Sequence, residues 1–212
     1  MRRLPVYLLL DTSGSMSGEP IEAVKNGVQV MISSLRQNPQ AIETAYISVI
    51  TFDSKALQII PLTDVASFQM VDIKASGVTA LGDALKLVSS KIDSEVAKTT
   101  MDQKGDWKPL VFIMTDGIPT DDWQSGLNEF KKRKIAFTVA CAAGSGADTN
   151  ILKQITQNVV SLDTADSATI GKFFQWVTAS IGVSSTKVEE SGSELSSFKE
   201  LPPPPPELNI VV

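Results

Sequence analysis

The chain has 212 residues, 42% of them hydrophobic, with 24 acidic against 19 basic side chains, a net charge of −5 and no histidine. That length and apolar content suit one substantial folded domain and exclude a disordered chain. The acidic balance argues against binding a phosphate backbone, which needs concentrated Lys and Arg, so no nucleic-acid partner is expected. The lack of histidine excludes a Ser-His-Asp triad.

The elements in chain order alternate between strand-like and helix-like segments. Val6-Tyr-Leu-Leu-Leu10 is a short apolar run, the mark of a fully buried strand. Residues 20–36 form a helix with Pro20 in its first turn and a buried stripe of Ala23, Val24, Gly27, Val28, Met31, Ile32 and Leu35. Residues 45–52 and 56–62 are strands joined through Asp53-Ser-Lys55, a connection so short that it permits only an antiparallel hairpin. A helix follows over 80–97, then a strand over 107–114 leading to Asp116. Thr120-Asp-Asp122 reads as a helix start with Thr120 at the N-cap, and that helix runs to about residue 132. A strand over 135–142, a helix over 149–157, a short strand over 159–162 and a closing helix over 167–181 complete the series. Phe173, Phe174, Trp176 and Val177 of that last helix are expected in the core.

Such alternation predicts a doubly wound α/β fold: a mostly parallel central sheet with one antiparallel edge strand and helices on both faces. The basic run Lys131-Lys-Arg-Lys134 closes a helix, where cations complement the helix dipole. Cys141 has no partner for an internal disulfide and lies in an apolar stretch, as a small buried hydrophobe would. A chain with no disulfide framework fits a reducing compartment. Arg2 and Arg3 precede an apolar run that Asp11 stops too early for a signal peptide, and no apolar stretch reaches the roughly 20 residues of a membrane span. The expectation is a cytoplasmic protein without a membrane span.

Beyond the last helix the composition shifts. The predicted division is one domain over residues 1–183, a polar linker over 184–200 rich in Ser, Glu and Lys, and a proline-rich tail over 201–212. Pro202 to Pro206 favour a stiff polyproline II rod. The apolar end Leu208-Asn-Ile-Val-Val212 is expected to dock in extended form on this domain or a partner, with Leu208, Ile210 and Val212 on one face.

Chemistry concentrates at three strand-to-helix loops. The first, Asp11-Thr-Ser-Gly-Ser15, places oxygen side chains of Asp11, Ser13 and Ser15 at alternate positions after a strand. The second, Gly77-Val-Thr-Ala-Leu-Gly82, carries Thr79 near a helix start, and the third is the strand end Thr115-Asp116-Gly117. One carboxylate with neutral hydroxyls suits a hard cation such as Mg²⁺, and in open α/β sheets such loops lie where ligands bind. Each piece also has a plainer use: Asp, Ser and Gly make turns, and Thr caps helices. Gly14-Ser15-Met16-Ser17-Gly18 also matches the G-x-S-x-G elbow of hydrolases, with Ser15 as nucleophile, but no histidine exists and no Lys is close in sequence to serve as its base.

Taken together, Asp11-x-Ser13-x-Ser15, Thr79 and Thr115-Asp116-Gly117 resemble the metal-ion-dependent adhesion site (MIDAS) of von Willebrand factor A domains, in that family's order and without substitution. The resemblance, over about residues 1–183, implies that Ser13, Ser15 and Thr79 ligate Mg²⁺, with Mn²⁺ or Ca²⁺ as alternatives. Asp11 and Asp116 would act directly or through water, and a partner's carboxylate would fill the open position. The opening from Arg2, the segment Glu43-Thr-Ala-Tyr-Ile-Ser-Val-Ile-Thr-Phe-Asp53 and the end Leu201-Pro-Pro-Pro-Pro-Pro-Glu207 are similar to the TerY-type proteins of bacterial tellurium-resistance and stress systems. That similarity implies a setting beside a kinase and a phosphatase. The expected function is thus a metal-dependent protein-interaction module and no enzyme. The competing readings are a Mg²⁺-dependent phosphoryl-transfer or hydrolytic enzyme using Asp11, and a subunit of an ATP-driven metal-insertion machine.

Overall fold

The structure, a computed structural model, describes residues 2–195 and 197–211. Seven strands form one sheet in the order β3-β2-β1-β4-β5-β6-β7. They are β1 (Leu4–Asp11), β2 (Ala45–Phe52), β3 (Ala56–Asp64), β4 (Leu110–Thr115), β5 (Phe137–Ala143), β6 (Val159–Leu162) and β7 (Asn209–Ile210). β1, β2, β4, β5 and β6 run parallel, and the two edge strands are antiparallel. The expected hairpin is the β2–β3 edge, with Phe52 opposite Ala56. The second antiparallel edge was not expected, because a two-residue strand in the tail has no periodicity to read.

Every residue of β1 and β4 is buried, as apolar runs covered on both faces must be. One face packs against α1 (Glu19–Leu35), the short α2 (Pro39–Thr44) and α6 (Ser167–Glu190). The other packs against α3 (Leu81–Glu95), α4 (Trp123–Phe130) and α5 (Thr149–Ile155). The predicted stripe of α1 is buried in full and faces the Phe174 side of α6; a Cβ on Gly27 would fall 2.2 Å from the Phe174 ring. Cys141 is fully buried in β5, and burial drives its thiol well above its ordinary range. Among the described residues no helix is long and apolar enough to cross a membrane.

Three sequence expectations need correction. The closing helix does not end near residue 181 but continues to Glu190, with Ser184, Ser185 and Val188 buried, so residues 184–190 are helix and not linker. The buried Ser184 and Ser185 interrupt the apolar stripe that would have signalled the extension. α4 starts at Trp123, not Thr120, because Asp122 is the residue whose side chain accepts the Ser125 N–H, at 3.2 Å. α2 was not anticipated; Asn38 caps it through the Ala41 N–H at 2.9 Å, and Pro39 follows at its first position.

The tail docks on its own domain. The indole N–H of Trp176 donates to the Pro202 carbonyl at 2.8 Å, and the Phe198 ring packs on Trp176 with centroids 5.7 Å apart. Lys187 pairs with Glu200. Leu201 and Leu208 are buried, β7 pairs with β6, and the Val211 N–H reaches the Val159 carbonyl at 2.9 Å. The expected apolar face is only partly realised. A turn is closed by the Leu208 N–H on the Pro205 carbonyl and Leu208 is buried, whereas Ile210, opposite Val160 on the edge strand, is 54% exposed. Val211 packs against the opposite core face, and Val212 lies outside the described residues.

Candidate metal centre

The parallel strands send their carboxyl ends to one edge of the sheet. β1 lies between β2 and β4, so the chain order reverses there and the loops after β1 and β4 diverge to opposite faces. Ligands bind in the crevice that such a switch point opens. Asp11 ends β1, and Thr115 ends β4 just before Asp116.

Asp11 is fully buried. Its Oδ1 accepts the Ser13 N–H at 2.8 Å, and its Oδ2 accepts the Thr115 hydroxyl at 2.5 Å. After Ser13 the chain makes one tight turn over Gly14–Met16, and the buried Met16 side chain pins that turn to the core. The turn brings the Ser13 and Ser15 hydroxyls within 3.1 Å, and the Ser15 hydroxyl donates to Asp116 Oδ1 at 2.8 Å. A hydroxyl has one proton, so Ser13 is the donor to Ser15 and the three groups form one directed chain. Asp116 is half-buried.

Thr79 arrives on a third loop, which backbone bonds tie to the first. The Gly14 N–H donates to the Gly77 carbonyl at 3.1 Å, and the Ser76 N–H to the Thr12 carbonyl at 2.8 Å. Gly77 makes the crossing possible with a φ of 71°, a region that side-chain-bearing residues seldom adopt. The Thr79 hydroxyl faces the third strand end, since a Cβ on Gly117 would lie 3.2 Å from Thr79 Oγ1. Thus Asp11, Ser13, Ser15 and Asp116 are joined through direct hydrogen bonds and Thr79 abuts them through Gly117.

Thr79 does not cap α3, as the sequence alone allows. Asp121 does so from another loop, accepting the Gly82 N–H at 3.0 Å and the Asp83 N–H at 2.8 Å. Thr120 brackets Thr79: its N–H donates to the Thr79 carbonyl at 2.9 Å, and its hydroxyl accepts the Thr79 N–H at 3.3 Å. Thr120 and Asp121 are the residues that sequence reading missed. The cluster Thr120-Asp-Asp122 points to capping, but nothing local says that Thr120 serves the Thr79 loop and Asp121 the start of α3, about 40 residues back. Below them α3 and α4 meet backbone to backbone, and a Cβ on Gly126 would fall 2.2 Å from the Gly82 carbonyl oxygen.

The electrostatics suit a cation. Burial pushes the Asp11 carboxyl up; hydrogen bonds from Thr115 and Ser13 pull it back in part, and the Asp116 charge raises it again. Burial likewise raises Asp116 against the Ser15 hydrogen bond. No Lys or Arg hydrogen-bonds either carboxylate among the described residues. No three His, Cys, Asp or Glu side chains cluster among those residues either, so the donor set here is two carboxylates with three hydroxyls. Oxygen-only, hydroxyl-rich donors match a hard divalent ion better than a soft one.

A family profile for the von Willebrand factor type A domain matches residues 6–175, from β1 into α6. The chain belongs to that family. It is 35% identical over 123 residues to an uncharacterized protein of Synechocystis sp., a match covering 55% of this chain and 26% of that protein. The chain therefore spans about a quarter of that curated relative. Solved structures share the fold. A von Willebrand factor type A protein from Catenulispora acidiphila superposes with a TM-score of 0.64 at 17% identity, over 86% of this chain and 43% of that one. Proximal thread matrix protein 1 of the mussel byssus, solved with a zinc-occupied MIDAS motif, gives 0.61 at 20% identity over 84% and 45%.

Proposed function

We propose that this von Willebrand factor A domain is a metal-dependent protein-interaction module, holding a divalent cation on Ser13, Ser15 and Thr79 with Asp11 and Asp116 beside it. The observation that carries this reading is the chain from Ser13 through Ser15 to Asp116, with Thr79 abutting at Gly117. When bound, Mg²⁺ would supply a Lewis-acidic charge with a position open to an external oxygen, and a partner's carboxylate fits it. The residues' own part is to hold rigid donors: the backbone ties between residues 12–14 and 76–77 fix the spacing of the two hydroxyl loops. An interaction role is favoured over phosphoryl transfer because Asp11 is a poor nucleophile. It is fully buried, and both of its oxygens already accept hydrogen bonds.

Within this reading the setting is a bacterial tellurium-resistance or stress system of the TerY type, with a kinase and a phosphatase as partners, in the cytoplasm. It rests on the sequence similarity of the opening, middle and proline-rich segments. The test is affinity capture from a bacterial lysate in Mg²⁺ and in chelator, with Ser13→Ala alongside. Partners retained only in Mg²⁺, and lost with the variant, are expected. Capture unaltered by chelator would sink the metal-dependent mechanism.

A further inference from the structure

Among the described residues, two exposed aliphatic side chains stand beside the candidate metal centre. Val78 is 51% exposed and Ile118 is 59% exposed. Val78 immediately precedes Thr79, and Ile118 follows Gly117. The backbone pairing of Thr120 with Thr79 and the approach of Gly117 to the Thr79 hydroxyl bring these two residues' loops together. The rim of the site is thus apolar at the very loops that carry its donors. Two exposed aliphatic groups beside a polar cleft give an incoming segment apolar area to cover.

The charge around that rim is one-sided. Beyond the two site aspartates, the loops leaving the carboxyl edge bring Glu19, Asp53, Asp83, Asp121, Asp122, Asp148, Asp163 and Asp166, against a single cation, Lys55, in residues 11–19, 53–55, 76–83, 116–122, 144–148 and 163–166. The dense basic run Lys131 to Lys134 precedes β5 and so lies at the opposite edge. A field of this sign attracts a divalent cation but repels an acidic polypeptide at range. A carboxylate approaches most readily when the segment bearing it is otherwise basic.

We infer that the occupant is a polypeptide segment presenting one Asp or Glu flanked by aliphatic side chains, which cover Val78 and Ile118, and then by Lys or Arg, which meet the acidic loops. The inference rests on the metal-mediated reading above and specifies the partner's chemistry. Partner choice then follows from the neighbours of the carboxylate, since any acid alone meets the metal equally.

The test uses the full chain with saturating Mg²⁺ and three synthetic peptides, acetyl-GKLELKG, acetyl-GGGEGGG and acetyl-GELELEG, titrated by NMR shifts of the Thr79 and Gly117 amides. The Lys-Leu peptide should bind about tenfold more tightly than the glycine peptide, and the acid-flanked one most weakly. Raising the salt should narrow that spread, because charges at this range are screened within about 8–10 Å. Val78→Ser with Ile118→Ser should abolish the advantage of Leu over Gly at equal flanking charge, read with acetyl-GKGEGKG, while the Mg²⁺ affinity stays as in the parent. If binding needs Mg²⁺ but ignores the flanking residues, this inference fails and the metal-mediated reading stands. If no peptide binds in Mg²⁺, or binding persists in chelator, that reading fails and takes the inference with it.

Discussion

Two irregular regions of this molecule are fixed by different forces, the loops at the carboxyl edge and the C-terminal tail. The loops have apolar anchors in Met16, Ile73 and Leu81, but they are tied to one another by backbone bonds between strangers in sequence, Thr12 with Ser76, Gly14 with Gly77 and Thr79 with Thr120. The tail is held by buried Leu201 and Leu208, one indole hydrogen bond and a two-residue strand. Directional bonds set donor positions, whereas apolar burial sets only affinity. On the proposed function, damage to the loops should cost metal binding, while damage to the tail should cost stability and leave metal binding unchanged.

The harshest way to break that comparison is Gly126→Val. Its Cβ would meet the Gly82 backbone at 2.2 Å, with no flexible end to yield. A loss of about 3 kcal/mol by urea unfolding is expected, together with lost Mg²⁺ binding, because α3 carries the Thr79 loop. Retained Mg²⁺ affinity in a folded variant would uncouple α3 and α4 from the site. Leu208→Ala, by contrast, should cost about 2–3 kcal/mol by the same measurement, with Mg²⁺ affinity within error of the parent. A drop in that affinity would tie the tail to the site and dissolve the distinction.

Smaller effects sharpen it. Thr120→Val removes the hydroxyl that accepts the Thr79 N–H and should cost about 1 kcal/mol, weakening Mg²⁺ binding, while Trp176→Phe frees the Pro202 carbonyl at a similar cost and leaves Mg²⁺ binding unchanged. Isothermal titration with Mg²⁺ on both variants compares them directly. The amino edge offers a control independent of both regions. Burial alone would raise the Asp106 carboxyl, but hydrogen bonds from Arg3 and the Ala97 N–H, with the Arg3 charge, hold it below the ordinary carboxylate range. A depressed carboxyl stabilises the fold fully above the unfolded value of about 3.9 and loses that contribution as pH falls below it. Asp106→Asn should therefore flatten the acid limb of the stability curve below about pH 4, read as urea midpoints against pH. An unchanged limb would assign acid sensitivity elsewhere.

How much of this was legible follows from range. β1, α1 and the β2–β3 hairpin announced themselves because their signals are local: an apolar run, a 3.6-residue stripe, a three-residue turn. The candidate ligands Asp11, Ser13, Ser15, Thr79 and Asp116 can be singled out in the sequence because they stand at strand ends and helix starts. Their tether cannot be. Asp121 capping α3 and Thr120 bracketing Thr79 are contacts across about forty positions, and no pattern in either segment encodes the other. The tail's tendency to dock could be read from stiffness and an apolar tip, but its seat on β6 depends on an edge that exists only after folding. The extension of α6 was hidden because Ser184 and Ser185 look like linker and pack like core.

The most direct test of the central claim is paramagnetic broadening by Mn²⁺ of the amide spectrum of the intact chain. A single Mn²⁺ per chain should erase the amides of residues 11–15, 77–80 and 115–118 together, leave those of β7 sharp, and lose this effect in Asp116→Ala. Broadening scattered over the acidic surface, or a broadened set that lacks Thr79, would contradict the shared site.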